Sequence, residues 1–129
     1  MLERICIGVD GSDCARRATE VGLAIAAAAD AEVDVVHAEP AGRGAGSGDG
    51  EAVLEDLEDV VDGASVAVER HVVDGPAAAS IVEFATDRDA DLLVLGRRGL
   101  TGVGDRLLGS VVHAVLRRSP VPVLTVPDG

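Results

Sequence analysis

The sequence has no lysine, no tryptophan and no tyrosine, and a single phenylalanine. Each absence excludes something. Without lysine there is no Walker-type phosphate loop, whose Gly-rich turn ends in Lys-Ser/Thr. All eleven basic residues are arginine, set against 23 acidic ones, for a net charge of -12 at pH 7. That balance repels nucleic acid backbones and anionic membrane surfaces, so neither is expected as a partner. With almost no aromatic residues, the core has to be built from Val, Leu, Ile and Ala. The two cysteines, Cys6 and Cys14, form neither a C-x-x-C pair nor a metal-ligand spacing and read as small apolar side chains. His37, His71 and His113 have no ligand spacing either. Asp87, Asp89 and Asp91 begin like a calcium loop, but the sixth position is Leu92 and the twelfth Arg98. No Gly-x-Ser-x-Gly elbow and no Cys/His catalytic arrangement is present. The longest apolar run, residues 21–29, is too short to span a bilayer, and the N-terminus lacks a secretory apolar segment. A cytoplasmic protein is expected.

What is present is 129 residues, 47% of them apolar, enough for one cored domain over residues 1–129. The β-branched run 5–9 reads as a buried strand ending at Asp10-Gly11-Ser12. Ser12 is a good N-cap for an Ala-rich helix over 13–29, with Ala15, Ala18, Gly22, Ile25 and Ala29 as its apolar stripe. Residues 32–38 read as a second strand. A loop over 40–50 follows, with glycine at every second position from 42 to 50, and then one acidic helix over 51–62. The Gly-rich loop fails as a dinucleotide fingerprint, because Gly-x-Gly-x-x-Gly would need glycine at 47, 49 or 51. A third strand is expected over 65–73, a helix over 77–88 opened by Pro76, a fourth strand over 92–95, a last helix over 110–118 and a last strand over 121–126. Alternation of this kind gives a parallel sheet with helices on both faces. Ligands of such sheets bind beyond the C-terminal ends of the strands, where the strand order reverses.

The stretch from Gly96 to Val112 carries the sharpest signal. A buried strand runs into Gly96-Arg97-Arg98-Gly99, and nine residues later Gly109-Ser110-Val111-Val112 opens a helix. Glycine permits close backbone approach, and a helix start presents unpaired N–H groups with a positive dipole end. Together they read as a phosphate cradle made by backbone rather than by lysine, with Ser110 as both helix cap and phosphate donor. Three arginines in that loop, at 97, 98 and 106, suit phosphate neutralisation.

These residues resemble the universal stress protein family. The likeness runs through Val9-Asp10-Gly11-Ser12, Val36-His37-Ala38, Gly75-Pro76, the run from Ala90 to Gly96, and Ser119-Pro120-Val121-Pro122. Gly96, Gly99, Gly109 and Ser110 match, without a gap, the Gly-x2-Gly-x9-Gly-Ser/Thr pattern of the family's nucleotide-binding branch. The resemblance implies an α/β, three-layer fold: a five-stranded parallel sheet of order 3-2-1-4-5, adenine-nucleotide α-hydrolase-like. It implies ATP, with AMP as the alternative and Mg²⁺ as an accessory, between strands one and four. By position, Gly8, Val9 and Asp10 would meet the adenosine end, and Ala38 would line the adenine pocket through its backbone. Gly96, Arg98 and Gly99 would approach ribose and phosphates. Gly109, Ser110, Val111 and Val112 would give N–H groups to the phosphates. It further implies a homodimer through the last strand, Val121 to Val126, and a stress or signalling regulator with an unidentified protein partner and little or slow ATP hydrolysis. The alternatives are an adenylating or ATP-hydrolysing enzyme of the same superfamily and a nucleotide-free dimeric scaffold. The acidic, lysine-free surface also resembles that of proteins from a high-salt cytoplasm; a GC-rich genome is the rival explanation of the arginine preference.

Overall fold

A computed structural model describes residues 2–39, 49–98 and 109–128. Along the chain these form β1 (Arg4–Gly8), α1 (Asp13–Ala29), β2 (Glu32–Glu39), α2 (Asp49–Glu55), α3 (Glu58–Asp62), β3 (Val68–Asp74), α4 (Ala77–Asp87), β4 (Leu92–Gly96), α5 (Ser110–Arg118) and β5 (Val123–Val126). The strands make one parallel sheet in the order β3-β2-β1-β4-β5, as the resemblance implied.

The period-2 alternation of the strands separates two apolar layers. Ile5, Ile7, Val33, Val35 and Val94 face α1 and the α2–α3 segment, where Ala15, Ala18, Leu23, Ala26, Leu54, Leu57 and Val61 meet them. Cys6, Val36, Leu93 and Leu95 face α4 and α5 through Ile81, Val82, Ala85, Val112 and Val115. Small residues on α1 let it lie low on the sheet. A Cβ on Gly22 would stand 2.6 Å from Ile7 Cδ1. Ser12 caps α1 as expected, its side chain accepting from the Ala15 N–H at 3.1 Å. The buried face of α1 is rotated from the expected stripe: Leu23 and Ala26 are in the core, whereas Ala29 is exposed.

The 51–62 segment is two helices, not one. Arg16 Nη1 donates to the Asp56 carbonyl at 2.9 Å, taking that oxygen out of the helical ladder. The Val60 N–H turns instead to the Leu57 carbonyl at 3.1 Å, and Leu57 itself drops into the core. The first piece also starts earlier than expected, because Glu39 Oε1 receives the Gly50 N–H at 2.6 Å and holds α2 against the end of β2. The remainder of the Gly-rich loop, residues 40–48, lies outside the described residues. β3 and β5 are shorter at their starts than expected. β3 pairs with β2 only from Val68 onward, and a turn closed by Ser119 Oγ, which accepts from the Val121 N–H at 3.0 Å, precedes β5. β1 runs Arg4–Gly8 rather than over 5–9, because the Val9 carbonyl turns to the His37 side chain.

A charged node sits near the N-terminal ends of the strands. Asp34 of β2 is fully buried. Its Oδ1 accepts from Arg88 Nη2 at 2.9 Å and faces His71 Nε2 at 3.0 Å; its Oδ2 accepts from Arg4 Nη1 at 2.9 Å and Arg88 Nε at 3.1 Å. One carboxylate therefore joins β1, β2, β3 and the C-terminus of α4. Burial alone would raise the Asp34 pKa, but the hydrogen bonds from Arg88, His71 and Arg4 outweigh it and hold the carboxyl below its ordinary value. The neighbouring Cys6 thiol is pushed up to about 12, first by burial and then by the Asp34 charge, which makes it inert.

Because the folded pKa of Asp34 is depressed, its stabilisation is complete above the unfolded value of about 3.9 and is lost as pH falls through the folded value. Asp34→Asn should destabilise the protein by about 3–5 kcal/mol at neutral pH, since it leaves arginines facing a neutral amide. In urea denaturation followed by circular dichroism, the gap between wild type and variant should shrink as pH falls below about 4. A gap that stays constant down to pH 2 would show that Asp34 does not act through its charge.

Candidate functional site

The C-terminal ends of β2, β1 and β4 lie side by side, with Gly8 registered to Val36 on one side and Leu95 on the other. This is the reversal point of the strand order, where chains leave in opposite directions and a crevice opens. Gly8, Val9, Asp10, Ala38, Gly96 and Arg98 all lie at or just past those strand ends. Gly99 lies outside the described residues, as does the rest of the glycine loop to Leu108.

At the exit of β1, the Val9 N–H makes one more sheet bond, to the Val36 carbonyl at 2.9 Å. The Val9 carbonyl then leaves the sheet and accepts from His37 Nδ1 at 2.8 Å. A carbonyl only accepts, so Nδ1 carries a proton. Asp10 folds back, its Oδ1 accepting from the Ser12 N–H at 3.0 Å, and Gly11 takes φ +89°, a conformation that favours glycine. The start of α1 is thus supplied with acceptors from Ser12 and carries Asp13 in its first turn.

The exit of β4 is built differently. Gly96 lies against the first turn of α1: a Cβ there would stand 2.8 Å from Cys14 C and 2.9 Å from Ala15 N. The missing side chain of Gly96 therefore lets a helix approach a strand, a role the sequence reading had not given it. Beyond it, the Arg97 N–H donates to the Val126 carbonyl at 2.8 Å, and the Arg97 carbonyl accepts from the Gly109 N–H at 3.0 Å. The second bond closes the neck of the glycine loop and sets the start of α5 beside the end of β4. Cys14 Sγ donates to the same Val126 carbonyl at 3.1 Å, and the Arg98 N–H reaches Cys14 Sγ at 3.5 Å. The Arg98 guanidinium donates to Asp128.

Ser110 is not the cap of α5. Gly109 holds that position in an extended conformation, with no side-chain cap bond, and Ser110 is the first helical residue. Extended backbone at 109 and the Arg97–Gly109 bond place the cap one residue earlier than the serine suggested. The Ser110 side chain and Val111 are exposed, whereas Val112 is buried in the α4–α5 layer. The first N–H groups of α5 have no partner within the helix, and its dipole end is positive there.

Residue 1 to residue 127 matches the family model of the universal stress protein family. The chain belongs to that family. A universal stress protein of Thermus aquaticus is 35% identical over 136 residues, covering 98% of this chain and 99% of that one. Other curated universal stress proteins, among them one from Methanocaldococcus jannaschii that is 36% identical over 76 residues, are matched over about half of their own length. Among solved structures, a universal stress protein in complex with cAMP superposes with a TM-score of 0.79 at 34% identity, covering 98% of each chain. One from Archaeoglobus fulgidus in complex with dAMP superposes with a TM-score of 0.79 at 25% identity, covering 98% of this chain and 99% of that one. The fold is thus that of the adenine-nucleotide α-hydrolase-like proteins.

Several site features had no signal in the sequence. Val126 and Asp128 meet the loop neck only through the pairing of β5 with β4. Asp34, Glu69 and His71 come within 4.8 Å of one another, an arrangement hidden by their separation along the chain. Arginines already engage the Asp34 oxygens, and Arg88 Nη2 also reaches Glu69 Oε2 at 3.0 Å, so this is an ion-pair node.

Gly96→Ala should destabilise the fold by about 1–3 kcal/mol, because backbone atoms of α1, not a flexible side chain, occupy the place of the new Cβ. Urea unfolding measures this directly. An unchanged midpoint would mean that α1 and β4 are less tightly apposed than described.

Proposed function

We propose that this chain binds an adenine nucleotide, ATP foremost with AMP as the alternative, in the crevice between β1 and β4, and that it works by occupancy rather than by fast hydrolysis. One observation supports the reading most: the uncapped start of α5 is held at the crevice by the Arg97–Gly109 bond, beside the end of β4. Backbone N–H groups there supply an anion site without lysine. The cAMP and dAMP complexes of family members favour an adenine base in the same crevice.

In this reading Gly8, Val9 and Asp10 meet the adenosine, Ala38 reads the base through its backbone, and Gly96, Arg98 and Gly99 approach ribose and phosphates. Gly109, Ser110, Val111 and Val112 give N–H groups to the phosphates, with the Ser110 hydroxyl adding a bond and Mg²⁺ accompanying the nucleotide. Residues 1–129 act as one domain. β5, the edge of the sheet next to the loop neck, pairs with a second copy, so occupancy alters a dimer that recruits another protein in a stress or signalling response. The protein works in the cytoplasm of a high-salt cell.

Nucleotide released from the denatured protein, identified by mass, together with calorimetric titration of ATP, AMP and cAMP, tests the reading. Gly109→Val should weaken ATP binding at least tenfold, because a branched side chain crowds the phosphates' approach to the α5 start, and Ser110→Ala should weaken it about fivefold, the worth of one hydrogen bond. If the wild-type protein binds no adenine nucleotide, the reading is wrong.

The net charge of -12 gives the high-salt reading its own test. Raising KCl from 0.1 M to 1 M shortens the screening length from about 10 Å to about 3 Å and relieves surface repulsion. The melting temperature should rise by about 5 °C or more, equivalent to about 1 kcal/mol. A melting temperature independent of KCl would argue for the base composition of the genome instead.

A further inference from the structure

We infer that His37 is a positioning residue: by taking the Val9 carbonyl out of the sheet, it leaves the backbone edge of Ala38 open to a base in the crevice. The inference rests on the adenine-nucleotide reading and adds to it a side chain that does not touch the ligand.

In β2 the backbone groups of alternate residues face opposite neighbours. The Val33 N–H donates to the Ala67 carbonyl and the Glu39 carbonyl accepts from the Gly75 N–H, so odd-numbered residues face the β3 side. The Val36 carbonyl accepts from the Val9 N–H, so even-numbered residues face β1. Ala38 is even, and its N–H and carbonyl therefore point to the side of β1, past that strand's last pair, Gly8 with Val36.

The next rung of a regular ladder would run from the Ala38 N–H to the Val9 carbonyl and would pair Val9 with His37. That rung is not made. The imidazole of His37 occupies the Val9 carbonyl at 2.8 Å, and β1 stops at Gly8. This is why β1 ends one residue before the apolar run does.

The consequence is a donor and an acceptor on one residue that is only 7% exposed. Buried backbone groups need partners. The pair suits a ring edge with an acceptor nitrogen beside an exocyclic amino group, as adenine N1 and N6 provide. A hypoxanthine edge, with N1–H beside a carbonyl, presents the opposite polarity. His37 thereby contributes to base choice without contacting the base.

Amide exchange by NMR on the ligand-free protein, followed by titration with ATP and inosine triphosphate, tests this. Ala38 should exchange at least tenfold faster than its β2 neighbours in the wild type. In His37→Leu the freed Val9 carbonyl should capture the Ala38 N–H, slowing its exchange about tenfold and lowering the ATP-to-inosine triphosphate preference about tenfold. Affinity for inosine triphosphate should be unchanged. His37→Asn, whose amide nitrogen sits near the position of Nδ1, should restore wild-type behaviour on both measures. A protected Ala38 amide in the wild type, or an unchanged base preference in His37→Leu, overturns the inference. If His37→Leu does not fold, the wild-type exchange rate and the Asn variant still decide. Absence of nucleotide binding by the wild type would sink the adenine reading, whereas the exchange rates alone decide whether His37 holds the rung open.

Discussion

The contact between the first turn of α1 and the end of β4 is the constraint from which the crevice follows. Gly96 has no side chain, so the backbone of Cys14 and Ala15 lies where a Cβ would be. That closeness puts Cys14 Sγ within reach of the Val126 carbonyl and the Arg98 N–H. The Val126 carbonyl in turn receives the Arg97 N–H, and the Arg97 carbonyl receives the Gly109 N–H. A single missing methyl group thus sets α1, β4, β5 and the start of α5 in one hydrogen-bonded series. With a larger residue at 96 the helix would have to move away, and each later bond in the series would lengthen with it.

The other end of the sheet is organised by charge. Asp34 occupies an interior strand position where the surrounding pattern of Val33, Val35 and Val36 leads one to expect an apolar residue. Its carboxylate is tolerable because three cationic or proton-donating side chains from three other elements converge on it. Phe84, the lone aromatic, completes the lining, with its ring 4.7 Å from that of His71 and the Arg88 guanidinium 5.9 Å from its centroid. The two ends of the sheet therefore differ in kind. Side chains satisfy one another at the N-terminal end, whereas at the C-terminal end backbone groups of Val9, Arg97, Gly109 and Val126 carry most of the bonds.

Much of the fold was legible because its signals are local. Ser12 marks the start of α1, Pro76 marks α4, and the β-branched runs mark the strands, all by chemistry that acts within a few residues. The breaks came from partners distant in sequence. The helix at 51–62 divides because Arg16, in another helix, takes the Asp56 carbonyl. β1 loses Val9 because a histidine on β2 takes its carbonyl. The cap of α5 falls on Gly109 rather than Ser110 because the Gly109 N–H is already committed to Arg97. At the candidate site, the glycine spacing pointed to a turn between β4 and α5, but the reason for Gly96 was hidden, since neither Cys14 nor Ala15 is near it in sequence. The Asp34 node was hidden for the same reason: its members at 4, 34, 71 and 88 meet only once the strand order is known.

An acidic protein that carries an anion site needs donors whose effect is confined to short range. A net charge of -12 repels a phosphate at distances where salt has not yet screened it. Lysines around the crevice would counter that repulsion, but the chain has none, and its Arg98 is engaged with Asp128. Backbone N–H groups at a helix start act over one turn and carry no net charge, so they attract an anion that has already arrived without altering the field farther out. Such a site is selective through shape more than through charge, because each donor is fixed by the fold and cannot swing to meet a misplaced ligand. If the chain binds a nucleotide as proposed, the loop neck held by Arg97, Gly109 and Val126 is then a condition for affinity. That places the glycine at 96, which makes the neck possible, upstream of the contacts that the β4 and α5 side would offer a nucleotide.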